Sequence, residues 1–121
     1  MDRRQFLAVT ATSALVAGLP AAFNLHALAQ PDLLPILGPE AVREIGLRYR
    51  ELVPAENQMR ALHAVILAAR PWSARVPWLA GPSIGAMVAE DFAAGRTMVV
   101  QGWVLSTTEA RQSALYSMLA D

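Results

Sequence analysis

The 121-residue chain contains no cysteine and no lysine. Without cysteine no disulfide can staple the fold, so its stability has to come from packing within the chain or against a partner. The absence of lysine reflects base composition more than chemistry. Positive charge is therefore carried by arginine alone, and the formal net charge is zero at pH 7. Residues 30–121 hold eight arginines (43, 48, 50, 60, 70, 75, 96 and 111) against nine acids, a formal −1. No basic stripe exists for a nucleic-acid backbone, which excludes that class of partner. The glycines Gly38, Gly46, Gly81, Gly85, Gly95 and Gly102 never cluster as a dinucleotide or nucleotide phosphate loop requires. Only His26 and His63 are available among histidines. A zinc site wants three or four ligands, and His63 has neither a cysteine nor a second histidine downstream of the leader to join it.

What the chain does have begins at its start. Arg3-Arg4 precede Phe6-Leu7, and the 18 residues from Phe6 to Phe23 carry no charge. Small residues at Ala27 and Ala29 flank Leu28 ahead of Gln30. A positive start, an apolar run and a small-x-small site are the three parts of a cleavable signal. The adjacent arginines ahead of Phe6-Leu7 follow most of the twin-arginine pattern, an address read by the translocase that exports folded proteins. Asp2 stands where Ser or Thr is usual, and Ala8 where Lys is frequent. The run is diluted by Thr10, Thr12, Ser13, Gly18 and Pro20. Its seven strongly apolar residues give about −2 to −4 kcal/mol of insertion energy before the polar residues subtract. Residence in a bilayer would be marginal on that sum. An uncleaved anchor and a general secretory signal are the alternatives weighed against a twin-arginine signal at residues 1–29, cut after Ala29.

Residues 30–121 are long enough for one small domain. Pro31 to Pro35 reads as an extended linker. Pro39 suits the first turn of a helix and Glu40 suits its dipole. Val42, Ile45, Tyr49 and Leu52 then recur on one face until Pro54 ends the pattern. A second helix is expected from about Ala55 to Ala69, with Met59, Leu62, Val65 or Ile66, and Ala69 on its apolar face. Being apolar through Leu67, it is expected to be the most buried element, packed antiparallel to the first helix. A third helix starts at Pro82-Ser83, turns Ile84, Met87, Val88 and Phe92 inward, and ends in a left-handed cap at Gly95. Thr97 to Val100 and Trp103 to Leu105 form a hairpin around Gln101-Gly102. Ser106 and Glu109 have capping-box spacing for a fourth helix, lined by Ala110, Ala114, Leu115, Met118 and Leu119. The fold class is mainly α: a small domain of about four helices, with a short β-hairpin before the last, behind a signal peptide.

Catalytic patterns fare poorly. Gly81-Pro82-Ser83-Ile84-Gly85 satisfies Gly-x-Ser-x-Gly, yet no histidine follows Ser83, and the motif requires a preceding strand with a later acid and histidine. A helix cap at Ser83 is the better reading. His63 shares a helical side with Glu56 and Arg60 and reads as the edge of a core face. Glu90 and Asp91 read as a solvated helix face, and Glu109 as a cap. Neither catalytic nor metal-binding nor cofactor-binding residues can be named. Trp72, Arg75 and Trp78, set among prolines, either close a small core from outside or form a docking loop, since indole and guanidinium groups dominate interface hot spots.

The stretch from Asp91 through Gly102-Trp103 and Ser106-Thr107-Thr108-Glu109-Ala110 to Arg111 resembles the small twin-arginine subunits of FAD-dependent sorbitol, fructose and glucose dehydrogenases. Ile45-Gly46 with Tyr49, followed by Pro54, is similar to that family's first helix. The resemblance implies a non-catalytic escort. The large flavoprotein subunit would lack a signal, take up FAD in the cytoplasm, and cross to the periplasm bound to this chain. A cytochrome c subunit is an optional third member. Trp103 joins Trp72, Arg75 and Trp78 as interface residues on this reading, while Gly102-Trp103 and Ser106 to Ala110 define the fold. Thr107 replaces an expected basic residue. Ser113 replaces a common cysteine, so no covalent tie to the large subunit is available. A free-standing exported binding domain with no obligate partner is the alternative.

Overall fold

A computed structural model describes residues 24–69 and 83–120. The chain is mainly helical, with six α-helices and an antiparallel two-stranded hairpin before the last of them among the described residues. The first helix, α1 (Leu25–Leu28), is one turn long and starts at Asn24, whose Oδ1 accepts from the Ala27 amide at 2.8 Å. That turn points Leu28 and Ala29 into the core, where both are fully buried. Pro31 is buried behind them.

The stretch expected to be extended between Pro31 and Pro35 is instead compact. Helix α2 (Leu34–Leu37) forms there because the Pro31 carbonyl accepts from the Leu34 amide at 3.0 Å and proline is tolerated in a first turn. Gly38, at φ 91°, breaks it and leads straight into α3 (Pro39–Leu52). Val42, Ile45 and Tyr49 of α3 are buried as their spacing requires, but Leu52 is exposed. Gly46 takes its place on the inner face, because another helix lies directly against the backbone there.

The second helix is shorter than expected. A 3₁₀ turn occupies Pro54–Glu56, and α4 runs only from Met59 to Ala68. The Glu56 carboxylate is held by side chains from two other helices, which keeps this turn out of the helix. Helix α5 (Ile84–Ala94) starts where Ser83 accepts the Ala86 amide at 3.1 Å, and Gly95 closes it at φ 76°, as its position in the sequence requires. Its inner face differs from the expected one. Asp91 is buried, while Phe92 is 46% exposed.

Strands β1 (Thr97–Val100) and β2 (Trp103–Ser106) pair with Val100 opposite Trp103, leaving Gln101 and Gly102 as a two-residue turn. Both turn residues have positive φ, 52° and 81°, the combination that matches the twist of a tight hairpin. The capping box at Ser106 and Glu109 opens α6 (Thr107–Leu119). Ser106 Oγ accepts from the Glu109 amide and Glu109 Oε1 from the Ser106 amide, each at 3.0 Å.

Helix α6, rather than the second helix, is the most buried element. Thr108, Glu109, Ala110, Gln112, Ser113, Ala114, Leu115 and Ser117 are all buried, against only Leu62 and Ile66 in α4. The main packing pair is α3 with α6, and α4, α5 and both strands also pack on α6. The expected antiparallel pairing of the first two long helices is therefore replaced by a central last helix. A helix surrounded on several sides buries polar as well as apolar residues, so no single apolar stripe marks it. Met118 is partly buried and Leu119 is exposed.

Candidate functional site

The buried acids are the natural place to look for chemistry, and the structure commits each of them to packing. Asp91, 6% exposed, accepts from the Thr108 amide at 2.9 Å through Oδ2 and from Arg96 Nε at 3.0 Å through Oδ1. The Arg96 amide donates to the Asp91 carbonyl at 2.8 Å, and the Arg96 carbonyl accepts from the Thr107 amide at 3.0 Å. Asp91 thus sits as an anion on the first turn of α6, where the helix dipole favours negative charge. Burial alone would raise its carboxyl, but the Thr108 amide and hydroxyl, and then Arg96, outweigh burial and hold it below the usual aspartate range. The expected solvated face at Glu90-Asp91 is corrected for Asp91: that carboxylate caps a neighbouring helix.

A second cluster joins three elements. Arg111 on α6 makes a two-pronged contact with Glu56, at 3.0 and 3.2 Å, while the Tyr49 hydroxyl of α3 donates to the same carboxylate at 2.6 Å. Burial raises the Glu56 carboxyl, but bonds from Arg111 and Tyr49 bring it below its usual range. Tyr49, buried and donating to a carboxylate, is pushed up to about 12. Both effects favour one charge state, in which Glu56 is ionised and Tyr49 keeps its proton. Such a cluster locks elements together and leaves no titrating group poised near neutral pH.

His63 is partly buried on α4 and lines an open groove of about 340 Å³ with Leu25, Met59 and Arg60. Glu56, expected on the same helical side, faces Arg111 instead. A larger trough of about 520 Å³ lies between the start of α3 and the end of α6, lined by Leu37, Gly38, Pro39, Glu40, Arg43, Tyr116 and Ala120. Its polar groups are two opposite surface charges and a phenol, with no nucleophile beside a base. Among the described residues, no group of three or more His, Cys, Asp or Glu side chains could hold a metal ion.

The exposed apolar side chains are more informative. Val99 and Val104 face each other across the hairpin and remain 63% and 62% exposed. The neighbouring pair divides: Val100 is buried in the core and Trp103 is 47% exposed. Phe92, turned outward by the inward Asp91, adds a further exposed aromatic just before the hairpin. A two-stranded sheet is marginal alone, and here its inner face is anchored by Val100 and Leu105 while its outer face stays apolar. The paired Val99 and Val104 share one face of the hairpin, whereas Trp103 stands on the opposite face with Val100 and Leu105.

Ser106 and Glu109 form the helix cap expected of them, Ser83 caps α5, and Trp103 is 47% exposed. Ala27 is half-buried and Ala29 fully buried, both within a hydrogen-bonded turn. Arg3, Arg4, Phe6 and Leu7, and the Trp72, Arg75 and Trp78 group, lie outside the described residues. The sequence reading missed Asp91, the Tyr49–Glu56–Arg111 cluster and the role of Gly46. Only Gly46 carried a local signal, a glycine in the middle of a helical stripe where alanine would be favoured by about 1 kcal/mol. No helix among the described residues is long and apolar enough to cross a membrane. No protein-family model, no curated protein and no solved structure matches the chain.

Proposed function

We propose that this chain is a non-catalytic small subunit that carries the twin-arginine address for a larger FAD-dependent sugar or alcohol dehydrogenase and stabilises it in the periplasm. The observation that carries the reading is the combination of Arg3-Arg4-Gln5-Phe6-Leu7 with the family-like stretch from Asp91 to Arg111. The use of that stretch supports it. Its polar members Asp91, Arg96, Ser106, Thr108 and Glu109 tie the hairpin and α6 together. Val99 and Val104 remain exposed on the outer face of the hairpin, and Trp103, on the same face as Val100, is still 47% exposed. A partner covering them would remove a large apolar area from water, at roughly 25 cal/mol per Å². FAD and the reacting substrate would belong to the partner, and this chain would touch neither.

Affinity purification of the tagged full chain from the exported fraction tests the reading. It should bring down a flavin-containing polypeptide with no signal of its own and with dehydrogenase activity towards a sugar or alcohol. A monodisperse monomer without flavin would favour the free-standing binding domain instead.

A further inference from the structure

The small-x-small site at Ala27-Leu28-Ala29 is where a signal peptidase would hydrolyse the Ala29–Gln30 peptide bond. Water would add across that bond, leaving a carboxylate on Ala29 and an amine on Gln30. The structure places this site inside the folded domain. Leu28 and Ala29 are 0% exposed and belong to the same core cluster as Ile45, Leu62 and Ile66. Asn24 caps the turn, the Leu28 amide donates to the Asn24 carbonyl at 3.0 Å, and the Gln30 amide donates to the Ala27 carbonyl at 3.1 Å.

A peptidase that reads small side chains on both sides of a bulky one needs Ala27 and Ala29 presented to its pockets. Here the Ala29 side chain faces the core, and the backbone is closed into a helical turn. Hydrolysis would leave a new carboxylate on fully buried Ala29, where unpaired charge is costly. It would also cut Leu28 and Ala29 out of the chain they pack against.

We infer that the site is masked by folding: the chain is not cut after Ala29 once folded. The inference rests on the reading of residues 1–29 as an export leader. The twin-arginine route makes the masking consequential, because it delivers a chain already folded and the peptidase meets the closed turn. Cutting would then depend on the fraction of molecules in which the turn is open.

The test compares two substrates of a purified bacterial signal peptidase in detergent micelles. One is the full chain retaining its helical circular dichroism, and the other is a synthetic peptide of residues 1–36, which lacks the core. The expected result is cutting of the peptide after Ala29 and, in the full chain, cutting at that bond slowed at least ~100-fold, as for a site reached only by opening. Equal rates overturn the inference. A peptide that is not cut after Ala29 overturns it too, since masking would then have nothing to mask. The N-terminus of the exported chain, read by intact mass, separates the two layers. A start at Gln30 sinks the masking and leaves the leader reading standing. A start upstream of Asn24 supports the masking. Absence of the chain from the exported fraction sinks the leader reading, while the peptidase comparison still decides the masking.

Discussion

A side-chain carbon added to Gly46 would collide with the backbone carbonyl of Ser113, so the backbones of α3 and α6 meet with no room for even a methyl group. Ser113 Oγ turns away and donates to the Glu109 carbonyl at 2.9 Å, while Ser117 Oγ donates to the Ala114 carbonyl at 2.7 Å and accepts from Arg50 of α3 at 3.1 Å. The main packing pair of the domain is built on this approach. Gly46→Ala should therefore destabilise by about 3 kcal/mol, the upper end for overpacking, because the obstacle is backbone that cannot rotate away. Urea unfolding followed by circular dichroism would measure it. A loss below about 0.5 kcal/mol, the level of an ordinary surface change, would show that the helices do not meet at Gly46.

Asp91→Asn removes a charge that holds Arg96 and the first turn of α6 together. The expected cost is about 2 kcal/mol at pH 7, in the range for hydrogen bonds to a charged group. Because the Asp91 carboxyl is held below its ordinary value of 3.8, the folded state binds fewer protons than the unfolded one. The wild-type contribution is therefore complete above that value and is lost as pH falls through the depressed one. The difference between wild type and Asp91→Asn should narrow in urea titrations carried from pH 7 to pH 3. A gap independent of pH would remove the charge from the explanation.

Tyr49→Phe tests the second cluster from the alkaline side. The Tyr49 phenol is raised from 10.0 to about 12, so its contribution is complete below pH 10 and is lost as pH rises towards 12. The variant should lose about 1–2 kcal/mol at pH 7 and show a weaker fall in stability between pH 10 and pH 12. Ultraviolet titration of the two tyrosines in the folded protein reads the same shift directly. A wild-type chain in which the Tyr49 phenol ionises near 10 would contradict it.

Gln101→Asn should stabilise the chain. Gln101 holds φ 52° in the hairpin turn, a region that costs most side chains about 1 kcal/mol or more and that asparagine tolerates. A gain of about 0.5 kcal/mol in urea unfolding is expected for this strain, and a loss would show that the Gln101 side chain makes a contact worth more than the strain.

These residues also show why part of the fold could be read from sequence. Ser106 with Glu109, Gly95 after α5, Ser83 before it and Gln101-Gly102 between two short apolar runs are local devices, each acting over a few residues of chain. Their chemistry is visible without knowing the tertiary structure. Glu56 and Arg111 meet across 55 residues of chain, and Asp91 reaches Thr108 across 17, so neither pairing has a spacing to recognise. The inward turn of Asp91 depends on where α6 begins in space, and it carried Phe92 to the surface against its hydrophobicity. Helix α6 hid its central place because polar Gln112, Ser113 and Ser117 share its buried surface with Ala114 and Leu115. The exposed valine pair Val99 and Val104 was legible as strand but not as surface, since alternation leaves open which face is covered.

The proposal that Arg3-Arg4 serve a larger partner as well as this chain is tested most directly by where the partner's activity appears. In cells carrying Arg3→Lys together with Arg4→Lys, FAD-dependent sugar or alcohol dehydrogenase activity should leave the periplasmic fraction and accumulate, with its flavin bound, in the cytoplasm. Unchanged periplasmic activity in that double variant would contradict the account.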